Sequence, residues 1–289
     1  LIFLTTMFRL FNGLIMKYVL KDFSITLKWK EWFGLAVTTS FYNIITAFGG
    51  GAIGRAVYLK RKYKFSYSDF ISTLSGIYLI NFFVASLIGV ISTLLLYSFF
   101  DLFNITVFLV MTSAFLFSSL ILIGSKKYSL NYKGNNTTIS KVIRLSEGWK
   151  KVSTNKRLVI IVSFLFIIQI FVGALFSLYS FKAIGVDLSF IKTLFLASIN
   201  TVGLIVAITP ANLGTSEAIT VFSALTINIS PVQSLSAALL GRAISFIVLV
   251  IASSKKQKIK FLFYNIFHKI LISHQFFVRL MSNEFHQSS

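Results

Sequence analysis

A chain of 289 residues that is 56% hydrophobic and only 12% charged carries about half the charge of an ordinary soluble domain, which excludes a water-soluble globular fold. It has no cysteine, so disulfides, thiolate metal sites and cysteine nucleophiles are excluded too. The net charge of +20 suggests nucleic acid, but the cations sit in short gaps between apolar runs, so membrane topology accounts for them and no nucleic-acid partner is expected.

In chain order, the opening LIFLTTMFRLFNGLIM is apolar, is interrupted by Arg9 and is followed by no cleavage site. It is expected to be the end of a span or an interfacial helix, with the true N-terminus upstream of Leu1. Residues Glu31 to Gly54 could span the bilayer or enter and leave on one side. Lys17, Lys21, Lys28 and Lys30 favour a cytoplasmic start and hence a re-entrant loop, though both routes stay open. A basic gap follows, with Arg55, Lys60, Arg61, Lys62 and Lys64, and then Asp69, expected as the N-cap of the next helix.

Ile71–Ser98, Leu102–Ile123 and Leu158–Phe181 are free of charge, and each is long enough for a helix to cross a bilayer core, which takes about 20 residues. Strand alternation is lacking, so a helical bundle is favoured over a barrel. The 124–157 gap carries nine cations and reads as a turn plus a short surface helix, too small for a catalytic domain. Gln169 is expected to bond a neighbouring helix. After the outer turn KAIGVDLS, residues 191–208 return inward and the chain breaks at TPANLG. Ser216–Ile229 then leads outward, NISP turns, and Val232–Ser253 returns to the basic KKQKIK.

Residues 1–254 thus read as one transmembrane domain and 255–289 as a basic cytoplasmic tail, amphipathic or disordered. The three basic places are expected to be cytoplasmic and to attract anionic lipid headgroups. His268, His274 and His286 have no metal-ligand spacing, and neither metal nor cofactor is expected.

The two halves echo each other. AFGGGAIGRAVYL and AITPANLGTSEAI place Gly50 opposite Pro210 and Gly54 opposite Gly214, with Asn43 and Asn200 upstream. Paired interruptions of apolar segments point to a binding site near the midplane of a transporter. For the glycines alone, close helix packing is an equal alternative. The second break is more specific. Pro210 removes a backbone hydrogen bond, Thr209 and Asn212 add polar groups, and Glu217 adds a carboxylate.

A charge at mid-bilayer costs about 2.5–3.5 kcal/mol even on a lenient scale, so Glu217 must face a cavity or a partner. Arg242 lies at similar depth beyond the turn at Ser230. The two either pair or jointly line a polar cavity; the alternative is that Arg242 snorkels along its stem. The expected fold class is therefore an all-α, polytopic transmembrane helical bundle with two broken or re-entrant segments related by a weak internal repeat. Its candidate substrate-binding residues are Asn43, Gly50, Gly54, Arg55, Asn200, Thr209, Pro210, Asn212, Gly214, Glu217 and Arg242.

ITPANLGTSEA, GRAISFIVLVI and FYNIITAFGGGAIGRAVYLKRKYKFSYSDF resemble the membrane region of lysylphosphatidylglycerol synthases and flippases, over roughly residues 1–255. That family's usual motif is Pro-Gly-Gly-x-Gly-x-x-Glu. Pro210, Gly214 and Glu217 keep its spacing, while Ala211 and Asn212 replace two glycines. In the first motif Gly50 stands where the family usually has proline, no acid precedes the arginine, and Arg55 remains.

The resemblance implies a multi-pass protein of the bacterial cytoplasmic membrane that moves a phospholipid or lipid-linked headgroup between leaflets, aminoacyl-phosphatidylglycerol among the options. Two-domain members transfer the aminoacyl group from tRNA with a separate soluble domain. Nothing here corresponds to it, so transferase activity is not expected and the protein reads as a transporter. The alternative function is a non-catalytic accessory subunit that binds lipid beside a separately encoded lipid-modifying or glycan-lipid transferase, docked through the 124–157 gap. A self-contained membrane transferase is disfavoured, because no acid–base or metal set is apparent.

Overall fold

Residues 1–46, 50–124, 155–203 and 212–254 are described by a computed structural model; they form nine helices and no strand. In chain order these are α1 (Ile2–Asp22), α2 (Trp29–Ile45), α3 (Gly50–Tyr63), α4 (Tyr67–Phe100), α5 (Ile105–Gly124), α6 (Lys156–Ala183), α7 (Phe190–Gly203), α8 (Thr215–Leu225) and α9 (Pro231–Ser254). Thr209, Pro210, most of the basic 124–157 gap and the tail 255–289 lie outside the described residues.

Five helices, α1, α4, α5, α6 and α9, are long and apolar enough to cross a membrane. The protein is a multi-pass membrane protein. Large apolar side chains stand exposed along these helices, among them Leu109, Phe117 and Leu120 on α5, Phe164 on α6 and Ile247 on α9. In water such a surface would drive aggregation. Against acyl chains it is the required one, because the helices satisfy their own backbone polar groups.

Local chemistry sets several boundaries. α4 starts at Ser66, whose Oγ accepts the Asp69 N–H at 3.0 Å, while the Ser66 hydroxyl donates to the Asp69 carboxylate at 2.6 Å. Ser66 is therefore the N-cap, and Asp69, expected in that role, sits three residues in, where its charge favours the helix N-terminus. α4 ends at Asp101, in the left-handed conformation at φ 55°. Asn155 caps α6 by accepting the Leu158 N–H at 3.1 Å, and its amide donates to Asp22 at the end of α1 at 2.6 Å. Pro231 opens α9, where its missing N–H is not needed.

The remaining helices, α2, α3, α7 and α8, have 11 to 17 residues. At 1.5 Å per residue the longest reaches about 25 Å, short of the ~30 Å hydrocarbon core. They form two helical hairpins that enter the bundle from opposite ends. Glu31 near the start of α2 meets Tyr58, Lys62 and Tyr63 near the end of α3, so the first hairpin begins and ends on one side. This is the re-entrant route of the two that the sequence allows for residues 31–54. The same side holds the Asp22–Asn155 bond and the contact of Phe23 with Phe65.

At the opposite end, Leu96 of α4, Phe181 of α6, Phe195 of α7, Ala224 of α8 and Ile229 in the following turn form one apolar cluster. The second hairpin therefore enters from there. A larger core joins α1, α2, α3, α4 and α6 through residues such as Val19, Leu20, Leu35, Leu59 and Val162. The opening segment is thus a helix long and apolar enough to cross a membrane, which favours the span over the interfacial helix of the two sequence expectations, and Lys17 and Lys21 continue it to the basic side. Lys17 lies over the Trp32 ring. Gln169 donates to the Phe8 carbonyl of α1 at 3.4 Å, a helix-to-helix bond as expected.

Candidate functional site

The second hairpin builds the principal polar site. Gly214 precedes α8 with φ +80°, a conformation that side-chain-bearing residues rarely adopt. That turn lets its N–H donate 2.9 Å to Oε2 of Glu217, three residues on. The carboxylate so meets an N–H that the helix leaves free, at the positive end of the helix dipole. The other oxygen, Oε1, lies 2.7 Å from Nε of Arg242 on α9. Nη2 of Arg242 donates to Ser216 Oγ at 2.7 Å and to the Asn212 carbonyl at 3.4 Å. The Ser216 hydroxyl donates to Glu217 at 3.3 Å. Glu217 is 8% exposed and the Arg242 side chain 25%, so the ion pair has a buried carboxylate, held by three contacts, and a partly exposed guanidinium. Such satisfaction is what makes a buried pair tolerable.

Asn200 of α7 clasps the hairpin shut. Its Nδ2 donates to the Leu196 carbonyl at 3.0 Å, and its Oδ1 accepts the Thr220 hydroxyl of α8 at 3.0 Å. Asn200, Thr220, Ser216, Glu217 and Arg242 line a cavity of about 640 Å³. Its walls also include Arg9 of α1, Ile44 at the end of α2, Phe176 of α6 and Ala238 of α9. That volume lies in the range of small-molecule and cofactor sites.

The first hairpin has a matching clasp but another consequence. Oδ1 of Asn43 accepts the Gly51 N–H at 2.9 Å. α2 and α3 approach so closely here that a Cβ on Gly51 would stand 2.0 Å from the Thr39 carbonyl oxygen. Arg55 is buried and its Nε donates to Thr39 Oγ1 at 3.0 Å. Gly50 and Gly54 are buried in the same α3. None of Asn43, Gly50, Gly54 and Arg55 lines the 640 Å³ cavity.

At the mouth of this hairpin, outside the five spans, Oε1 of Glu31 accepts from Tyr58, from Lys62 at 2.6 Å and from Tyr63 at 2.7 Å. Burial pushes the Glu31 carboxyl up, but the hydrogen bonds from Lys62, Tyr58 and Tyr63 outweigh it and hold the group below its ordinary value. The hydrogen bond to Glu31 likewise holds the Lys62 ammonium above its usual range.

Of the sequence-derived site residues, the structure thus gathers Asn200, Glu217 and Arg242 on the cavity wall, with Asn212 and Gly214 bonded to the ion pair. It places Asn43, Gly50, Gly54 and Arg55 within the first hairpin, and Thr209 and Pro210 lie outside the described residues. Sequence reasoning passed over Ser216 and Arg9. The signal for Arg9 was available: like Arg242, it is a single cation within an apolar run.

Residues 1–253 match the family model described as the lysylphosphatidylglycerol synthase TM region. No curated protein and no solved structure matches the chain significantly.

Proposed function

The chain belongs to the family of lysylphosphatidylglycerol synthase transmembrane regions, and on that premise we propose that it is a lipid translocator of the bacterial cytoplasmic membrane. The observation that carries the reading is the 640 Å³ cavity between the two hairpins, walled by apolar helices and by the Glu217–Arg242 pair. A phospholipid crosses the bilayer slowly because its headgroup must leave water for a low-dielectric slab. A cavity at this depth with fixed hydrogen-bond partners lowers that cost, while the acyl chains stay among other chains.

Glu217 and Arg242 suit a zwitterionic or aminoacylated headgroup, because each charge can turn to an opposite charge on the ligand. An aminoacyl-phosphatidylglycerol fits that requirement, with its ammonium toward Glu217. Asn200, Thr220 and Ser216 supply neutral donors and acceptors around them.

Reconstitution tests this. Proteoliposomes carrying head-labelled phosphatidylglycerol, phosphatidylcholine or lysyl-phosphatidylglycerol are assayed for the fraction of label reachable from outside over time. Faster equilibration than in protein-free vesicles is expected for at least one lipid, and slower in Glu217→Gln. Equal rates in both vesicle types for every lipid would end the proposal.

A further inference from the structure

Phospholipids carry a phosphate whatever their headgroup, and two of the cations suggested by sequence are poorly placed to receive it. Arg55 is buried against Thr39 inside the first hairpin, away from the cavity. Arg242 is neutralised by Glu217 at 2.7 Å. Arg9 differs from both. Its Nη1 donates to Ser40 Oγ of α2 at 3.0 Å, but its Nε is buried with no hydrogen-bond partner. Among the described residues, the only carboxylate on the cavity wall is that of Glu217, which already faces Arg242. The cavity therefore keeps one positive charge uncompensated. A guanidinium N–H left unpaired out of water is costly, and an anion removes the cost.

Position narrows the class of anion. Arg9 also lines a second cavity of about 190 Å³, walled by Leu4 and Phe8 of α1 and by Val172 and Phe176 of α6. The two cavities share Arg9, Phe176 and Ser245. At Arg9 the larger cavity, with Glu217 and Arg242 on its wall, meets the smaller one. The smaller is a largely apolar slot. That is the shape of an amphiphile with its anion at the junction. Arginine is suited to it, since its planar fork matches two phosphate oxygens at once.

We infer that Arg9 docks the phosphate of an anionic glycerophospholipid, whose polar headgroup occupies the larger cavity and one acyl chain the slot between α1 and α6. The inference rests on the lipid reading above, but it concerns binding and does not depend on transport.

Native mass spectrometry of the purified protein tests it, with unlabelled dioleoyl-phosphatidylglycerol, dioleoyl-phosphatidylcholine and inorganic phosphate as probes. The wild type is expected to bind phosphatidylglycerol at least about ten-fold tighter than phosphatidylcholine, whose choline ammonium offsets its own phosphate and leaves no net charge to compensate that of Arg9. Arg9→Gln should abolish the preference, and Arg9→Lys should keep part of it. Val172→Phe, which fills the slot, should weaken phosphatidylglycerol binding and leave binding of inorganic phosphate unchanged.

A preference that survives in folded Arg9→Gln, or lipid binding indifferent to Val172→Phe, would overturn the inference. So would inorganic phosphate that saturates the site while phosphatidylglycerol shows no advantage, which would make it a free-anion site. Unfolding midpoints for each variant separate loss of binding from loss of fold. A wild type that binds in this way yet moves no lipid in vesicles would overturn the transport reading alone.

Discussion

Replacing Glu217 by Gln removes one charge and little else. Glutamine keeps an oxygen that can accept the Gly214 N–H, so the start of α8 should survive. What is lost is the 2.7 Å contact with Arg242, whose guanidinium keeps its bonds to the Ser216 hydroxyl and the Asn212 carbonyl. Breaking a fully buried pair from one side costs about 3–5 kcal/mol. The Arg242 side chain is 25% exposed, so part of its solvation is retained, and about 2–3 kcal/mol is the appropriate figure.

Arg242→Gln should cost a similar amount. The double variant holds no orphaned charge, so it should also cost about 2–3 kcal/mol in place of the additive sum, giving a coupling of about 2–3 kcal/mol. The assay is a double-mutant cycle by equilibrium unfolding in mixed micelles. Additivity within about 0.5 kcal/mol would show that Arg242 is solvated independently of Glu217 and would refute the pairing.

Gly51→Ala would force α2 and α3 apart, because the contacted atom is the Thr39 backbone oxygen and cannot swing away. A loss of about 3 kcal/mol or more in unfolding free energy is expected, with easier proteolysis of the first hairpin. Gly214→Ala meets no atom within 4 Å, so its cost is the backbone conformation at φ +80° alone; a loss of about 1–3 kcal/mol is expected from the same titration. Glu31 predicts a pH dependence. Its folded carboxyl titrates below the ordinary value, so its contribution is complete above about pH 4.3 and is lost as pH falls through the folded value. Unfolding followed from about pH 6 to pH 3 should show this component in the wild type and not in Glu31→Gln.

The spans were legible wherever a charge-free run exceeded the bilayer thickness, as in α4 and α6. α1 was not, because Arg9, Lys17 and Lys21 dilute its apolar signal, and only packing against α6 and α2 shows that it runs through. The nearness of Glu217 and Arg242 followed from counting residues on both sides of one turn, a local argument. Arg55 misled for the opposite reason. Its motif suggested a site, but the direction of its side chain depends on the close approach of Gly51 to Thr39, which no spacing rule contains. The Glu31 cluster joins residues 27 to 32 positions apart across a break, and so was invisible to helical periodicity.

The two asparagine clasps close each hairpin upon itself: Asn43 ties α3 to α2, and Asn200 ties α8 to α7. Each hairpin is thus a stiff lever with its polar bonds kept inside. Besides apolar packing, side-chain links among the described residues that tie the levers to the surrounding spans include Arg9–Ser40 for the first and Arg242 with Glu217 and Ser216 for the second. Tilting one lever against the bundle would leave every backbone hydrogen bond of its helices in place and strain only these latches and the side-chain packing. Both latches are arginines on the cavity wall, within reach of whatever anion enters it.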